Sequence, residues 1–237
     1  MPAPASASAD RRAFLRNLMG GAAAAALGVS ADVSALPARP RTAPTRVARE
    51  PWDDSWVGRI TGWHKQVFDA PEVAEGTVLH QARVFMQGYT DVYGTSDADT
   101  TAVLVIRHKA IPIALDDAMW EHYELGKKVK VKDPATGKDA KCNPFLNAND
   151  PGTDKNSLIW SDGGLDTLVK RGAVVLVCNL ALNAFASAVI QKKDKVDHAE
   201  AMTRAKAGLL PGTVLVPSGI FGVARAEEAG CHYMRAT

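Results

Sequence analysis

Ala173-Val174-Val175-Leu176-Val177-Cys178 is the stretch on which the fold turns. An uninterrupted apolar run of this length, rich in β-branched residues, reads as a strand buried on both faces. Strands of that kind belong to parallel sheets covered by helices on each side. Residues 102–106, Ala-Val-Leu-Val-Ile, repeat the signature between Thr100-Thr101 and Arg107-His108.

Working outward, shorter strand candidates lie at residues 64–68, 213–216 and 231–234. Helical patterns fill the intervals. Leu79, Ala82, Phe85, Met86, Tyr89, Val92 and Tyr93 recur at three-four spacing and predict an amphipathic helix from Val78 onward. Further helices are predicted at 116–125 with a stop at Gly126, at 164–170 closed by Gly172, and at 180–190, 196–209 and 220–229. Strands alternating with helices predict an α/β domain, a three-layer sandwich around a parallel or mostly parallel sheet. Residues 127–157 lose all periodicity and carry Asp133-Pro134 and Asp150-Pro151-Gly152. They read as a long insertion, either a functional loop or a surface excursion.

The beginning of the chain carries an address. Asp10-Arg11-Arg12-Ala13-Phe14-Leu15-Arg16 is a twin-arginine pattern, followed by an apolar stretch at 18–29. That stretch falls short of the about 20 residues needed to cross a bilayer. Small residues at Val33-Ser34-Ala35 predict cleavage after Ala35, with Ala31 as second choice, and export to the periplasm. The expected organisation is a signal peptide at 1–35, a flexible leader at 36–62, and one α/β domain at 63–237 with its insertion at 127–157. Trp52, Trp56 and Trp63 are expected to tack the leader onto the domain surface.

The 237 residues hold 28 basic and 26 acidic side chains, a net charge of +2. Removal of the signal leaves 25 basic and 24 acidic groups, a balance that gives no reason to propose nucleic acid. No apolar run after the signal is long enough to span a membrane. Three cysteines, Cys142, Cys178 and Cys231, are an odd number for an exported chain and leave at least one thiol over. Neither CxxC nor CxxCH is present, nor are GxGxxG, a Walker loop, HExxH or GxSxG. Dithiol redox, covalent haem, common nucleotide, zinc-peptidase and hydrolase readings therefore lack support. No cofactor is named by these residues.

Open α/β sheets place their sites beyond the carboxyl ends of the strands. Those ends carry Asp69, His108, Cys178 with Asn179, and Ser218-Gly219. A base, a thiol and a hydroxyl can thus share one rim. Cys178 also begins a helix, where the macrodipole favours a thiolate. Each residue has a structural alternative: core packing for Cys178, backbone bridging for His108, and a turn or helix cap for Ser218. Cys231 and His232 are adjacent on a strand and point to opposite faces, so no metal site is predicted. Trp120 and Tyr123 line either a pocket or the core.

Lys170-Arg171-Gly172-Ala173, Val177-Cys178-Asn179, Leu209-Leu210-Pro211-Gly212, Val216-Pro217-Ser218-Gly219 and Ala229-Gly230-Cys231-His232-Tyr233 together resemble the DsrE/DsrF-like family of sulfur-relay proteins. Val67-Phe68-Asp69 and Val105-Ile106-Arg107-His108 fit the same pattern more loosely. The resemblance implies a five-stranded, flavodoxin-like sheet, self-association into oligomers, and a sulfur donor or acceptor protein as partner. It further implies a persulfide-carrying cysteine, here Cys178, assisted by His108, with Asp69, Asn179, Ser218 and Gly219 around the substrate. The alternative is a non-catalytic protein holding a small ligand, metal or partner on the same rim.

Overall fold

The computed structural model describes residues 52–237. The twin-arginine signal and the leader as far as residue 51 lie outside the described residues.

In chain order the elements are β1 (His64–Ala70), α1 (Thr77–Tyr93), β2 (Thr100–Ile106), α2 (Asp117–His122), α3 (Leu125–Val129), α4 (Leu165–Lys170) and β3 (Val174–Cys178). Then come α5 (Asn179–Phe185), a π-helical segment (Ala186–Ile190), α6 (Gln191–Asp194), α7 (His198–Ala207), β4 (Thr213–Val216), α8 (Gly219–Glu228) and β5 (His232–Arg235). The five strands form one sheet in the order β4-β3-β2-β1-β5, every neighbouring pair parallel. The sheet expected to be mostly parallel is wholly so. Helices cover both faces, which gives the three-layer, flavodoxin-like plan.

Strand order explains the layers. From β1 to β4 each crossover steps to the next strand in one direction, and right-handed crossovers then put every connection on the same face. Phe68, Leu104, Ile106, Val175 and Val177 pack there with Leu79, Met86, Trp120, Leu168, Leu182 and Ala205. The last crossover returns past three strands to reach the far side of β1, so α8 lies on the opposite face. There Val67, Val103, Val105, Leu176 and Val216 meet Ala226 and Val223 of α8. β2 and β3 are buried along their whole length, as their unbroken apolar sequence requires.

One helix cannot cover that second face, and the chain before β1 completes it. Ser55–Arg59 forms a 3₁₀ turn whose Trp56 is 1 % exposed within the same cluster, beside the buried Ile60. The folded domain therefore starts ahead of residue 63, and of the three tryptophans Trp56 is a core residue while Trp63 stands 88 % exposed.

Two further expectations are corrected. The helix predicted over 116–125 ends at His122, because Glu124 takes a left-handed backbone and α3 starts afresh. Gly126 lies inside α3, where a Cβ would meet the backbone of Ala140 at 2.3 Å. The residue serves a close chain approach, not a helix stop. Residues 127–157 are also no surface excursion. Val131, Ala140, Phe145 and Leu146 enter the main core, and Phe145 packs edge-on against Trp120. Asn143 is fully buried, its amide donating to the carbonyls of Ile113 and Leu115 at 3.0 and 2.7 Å while its oxygen accepts from Phe145 N–H. Asp150 accepts the N–H groups of Gly152 and Leu158. Side-chain amides and carboxylates do here what a hydrogen-bonded ladder does elsewhere.

Candidate functional site

Beyond the carboxyl ends of β2, β3 and β4 lies an open cleft of about 760 Å³. Arg107, His108, Cys178, Ser218 and Gly219 line it, with α3 and the π-helical segment closing its sides. Strand register explains the convergence. Ile106 pairs with Val177 and Cys178 with Val216, so Arg107 stands one step further along, level with Cys178.

Cys178 ends β3 and is the N-cap of α5, its Sγ accepting the N–H of Ala181 at 3.4 Å. It is 6 % exposed and, like Cys142 and Cys231, a free thiol. The other two differ from it in setting. Cys231 is enclosed by the second core cluster, and burial pushes its thiol up to about 11. Cys142 is exposed, and desolvation followed by the charges of Asp117 and Glu121 raises it as well.

Ser218 caps α8, its hydroxyl accepting the N–H of Phe221 at 3.1 Å, while still facing the cleft. His108 is exposed on the cleft wall and its backbone is left-handed, with φ of 52°. Ala74, also in the cleft lining, is likewise left-handed at φ 41°. Non-glycine residues held in this region store strain, and such strain concentrates at functional surfaces.

The cleft also contains Arg107, which the sequence marked only as the end of a strand. Strand alternation puts Asp69, Arg107 and Tyr233 on the face covered by α8. Arg107 Nε and Nη2 donate to the two carboxylate oxygens of Asp69 at 2.5 and 2.8 Å, and the Tyr233 hydroxyl donates to Asp69 at 3.0 Å. The hydrogen bond to Asp69 raises the Arg107 pKa against the opposing effect of desolvation, with Tyr233 and Cys178 adding to the electrostatics. A bidentate carboxylate fork of this kind fixes the guanidinium plane. Gly219 makes room for it: a Cβ there would stand 2.7 Å from Arg107 Cδ and 2.8 Å from Arg107 Cβ.

Four of the six residues read from the sequence, Cys178, His108, Ser218 and Gly219, thus line one cleft. Asp69 is 3 % exposed and lies beneath Arg107, acting as its anchor and not as a cleft wall. Asn179 is absent from the cleft lining, and its carbonyl accepts from the Asn183 amide. Trp120 and Tyr123 belong to the core. Tyr123 donates its hydroxyl to Asp194, which also takes Arg204 and His122. Among the described residues no group of His, Cys, Asp and Glu is arranged to hold a metal ion, and no helix is long and apolar enough to cross a membrane.

No family model matches the chain, and no curated protein does. Among solved structures it is similar to a protein of unknown function, MTH1491 from Methanobacterium thermoautotrophicum, at 15% identity over 73% of this chain and 98% of that one, with a TM-score of 0.39. The fold class is that of an all-parallel α/β sandwich with a cleft at the carboxyl edge of its sheet.

Proposed function

We propose that the protein is a sulfur carrier of the DsrE/DsrF-like kind, working after twin-arginine export, in which Cys178 holds sulfane sulfur as a persulfide. The observation that supports this is the placement of Cys178 at the carboxyl end of β3, at a helix N-terminus, in a cleft it shares with Arg107. The thiolate is the form of a cysteine that attacks a sulfur donor. In the step itself the Cys178 thiolate attacks the outer sulfur of a donor persulfide R–S–SH. The donor S–S bond breaks, R–S⁻ leaves with the electron pair, and Cys178 becomes Cys–S–SH. No outside oxidant is needed. In this proposal Arg107, held in plane by Asp69, stabilises the anion on either side of the transfer, and His108, which lines the same cleft, exchanges protons with the leaving thiolate.

Burial of Cys178 to 6 % favours a second reading, a non-catalytic protein that binds a ligand in the same cleft. Incubation with inorganic polysulfide followed by intact-mass measurement decides between them. The sulfur reading expects added sulfur on wild type, none at this position in Cys178→Ser, and little change in Cys142→Ser. Equal modification of wild type and Cys178→Ser overturns it and leaves the binding reading. Self-association belongs to the same proposal and expects a dimer or larger in sedimentation at tens of micromolar.

A further inference from the structure

The cleft is far larger than its proposed cargo. A sulfur atom needs about the space of a water, roughly 30 Å³, whereas the cleft holds about 760 Å³, within the range of organic-ligand pockets. Its walls are mostly apolar, with Val73, Ile111, Leu125, Ala184, Phe185 and Val189 among them. Its charged groups are of nearly one sign: Arg107, Lys109, Lys128 and Lys130, with the titratable His108, stand against the single carboxylate of Glu72. Arg107 is already paired with Asp69. Lys109, Lys128 and Lys130 form no ion pair among the described residues, and all three are exposed.

Free lysines around an apolar cavity attract an anion, and the apolar walls reward a hydrocarbon body attached to it. Inorganic polysulfide or thiosulfate would satisfy the lysines and leave the walls wet. A neutral hydrocarbon would do the reverse. We infer that the cleft binds an amphiphilic organic anion, an apolar chain or ring ending in a sulfonate-, carboxylate- or phosphate-like group, and that sulfur reaches Cys178 on a persulfide of such a molecule. The second half of this inference rests on the sulfur-carrier reading; the binding half does not.

Calorimetric titration of the full-length chain with 1-octanesulfonate, sodium thiosulfate and 1-octanol tests it. Octanesulfonate is expected to bind at least tenfold more tightly than either of the others. The triple variant Lys109→Gln, Lys128→Gln, Lys130→Gln should weaken octanesulfonate tenfold or more and leave octanol unchanged. Ala184 is exposed in the wall, so Ala184→Trp fills the cleft without entering the core and should block octanesulfonate in a chain whose lysines are intact. Thiosulfate or octanol binding as tightly as octanesulfonate, an unaffected triple variant, or no binding at all overturns the inference. If octanesulfonate binds as described while polysulfide leaves Cys178 unmodified, the sulfur-carrier reading falls and the organic-anion cleft stands.

Discussion

Removing either partner of the Asp69–Arg107 fork should cost far more than removing both would suggest. Asp69 has a side chain only 4 % exposed and Arg107 one that is 25 % exposed. Breaking a buried pair typically costs 3–5 kcal/mol because a charge is stranded. Asp69→Ala leaves a guanidinium that water can partly reach, so its cost should fall at the lower end, about 3 kcal/mol. Arg107→Ala strands a carboxylate with only the Tyr233 hydroxyl for company, and about 4 kcal/mol is expected. The double variant strands nothing and should lose no more than the costlier single variant, about 4 kcal/mol, leaving a coupling of about 3 kcal/mol. Urea unfolding followed by tryptophan fluorescence measures all three, with unchanged slope as the check that only stability moved. Costs that add within about 0.5 kcal/mol would refute the coupled fork, as would an Asp69→Ala variant that loses less than about 1 kcal/mol. On the sulfur-carrier proposal, Arg107→Ala should also slow sulfur uptake at Cys178 by about tenfold, the rate equivalent of about 1.4 kcal/mol.

Three further outcomes follow from particular contacts. Gly219→Ala should destabilise by about 1–2 kcal/mol through its clash with the Arg107 stem, opposite in sign to the gain usual for Gly→Ala in a helix, and the loss should shrink in an Arg107→Ala background. Asn143→Ala should cost about 3 kcal/mol or more, since it orphans two buried carbonyls and one N–H, whereas Asn156→Ala in the exposed part of the insertion should fall within about 0.5 kcal/mol in the same urea assay. Asp194 is lowered to about 2, first by the Tyr123 hydroxyl, so the stability it contributes is present above about pH 4 and is lost as pH falls toward 2. Thermal melts of wild type and Asp194→Asn should differ by the equivalent of about 1–2 kcal/mol at pH 6 and converge near pH 2; a gap that persists at pH 2 would contradict this.

Local sequence determined the sheet. The runs at 102–106 and 173–178 are apolar at every position, and only a strand covered on both faces can use such a pattern, so the parallel, three-layer plan was legible from composition and alternation alone. The rim was legible for the same reason: once the strands are placed, the residues after them are known, and Cys178, His108, Ser218 and Gly219 all meet there. Tertiary structure decided how those residues work. Asp69 and Arg107 are 38 positions apart, and Tyr233 is a further 126 along, and nothing in their local sequence joins them. They meet because β1 lies between β2 and β5, a strand order set by long-range pairing. The same holds for Trp56 and Trp63, alike in sequence yet one in the core and one in water. It holds also for residues 127–157, which lack periodicity because buried Asn143 and Asp150 organise them through side-chain hydrogen bonds. Periodicity records which face of a regular element is buried; contacts made by irregular backbone with distant partners leave no period to read.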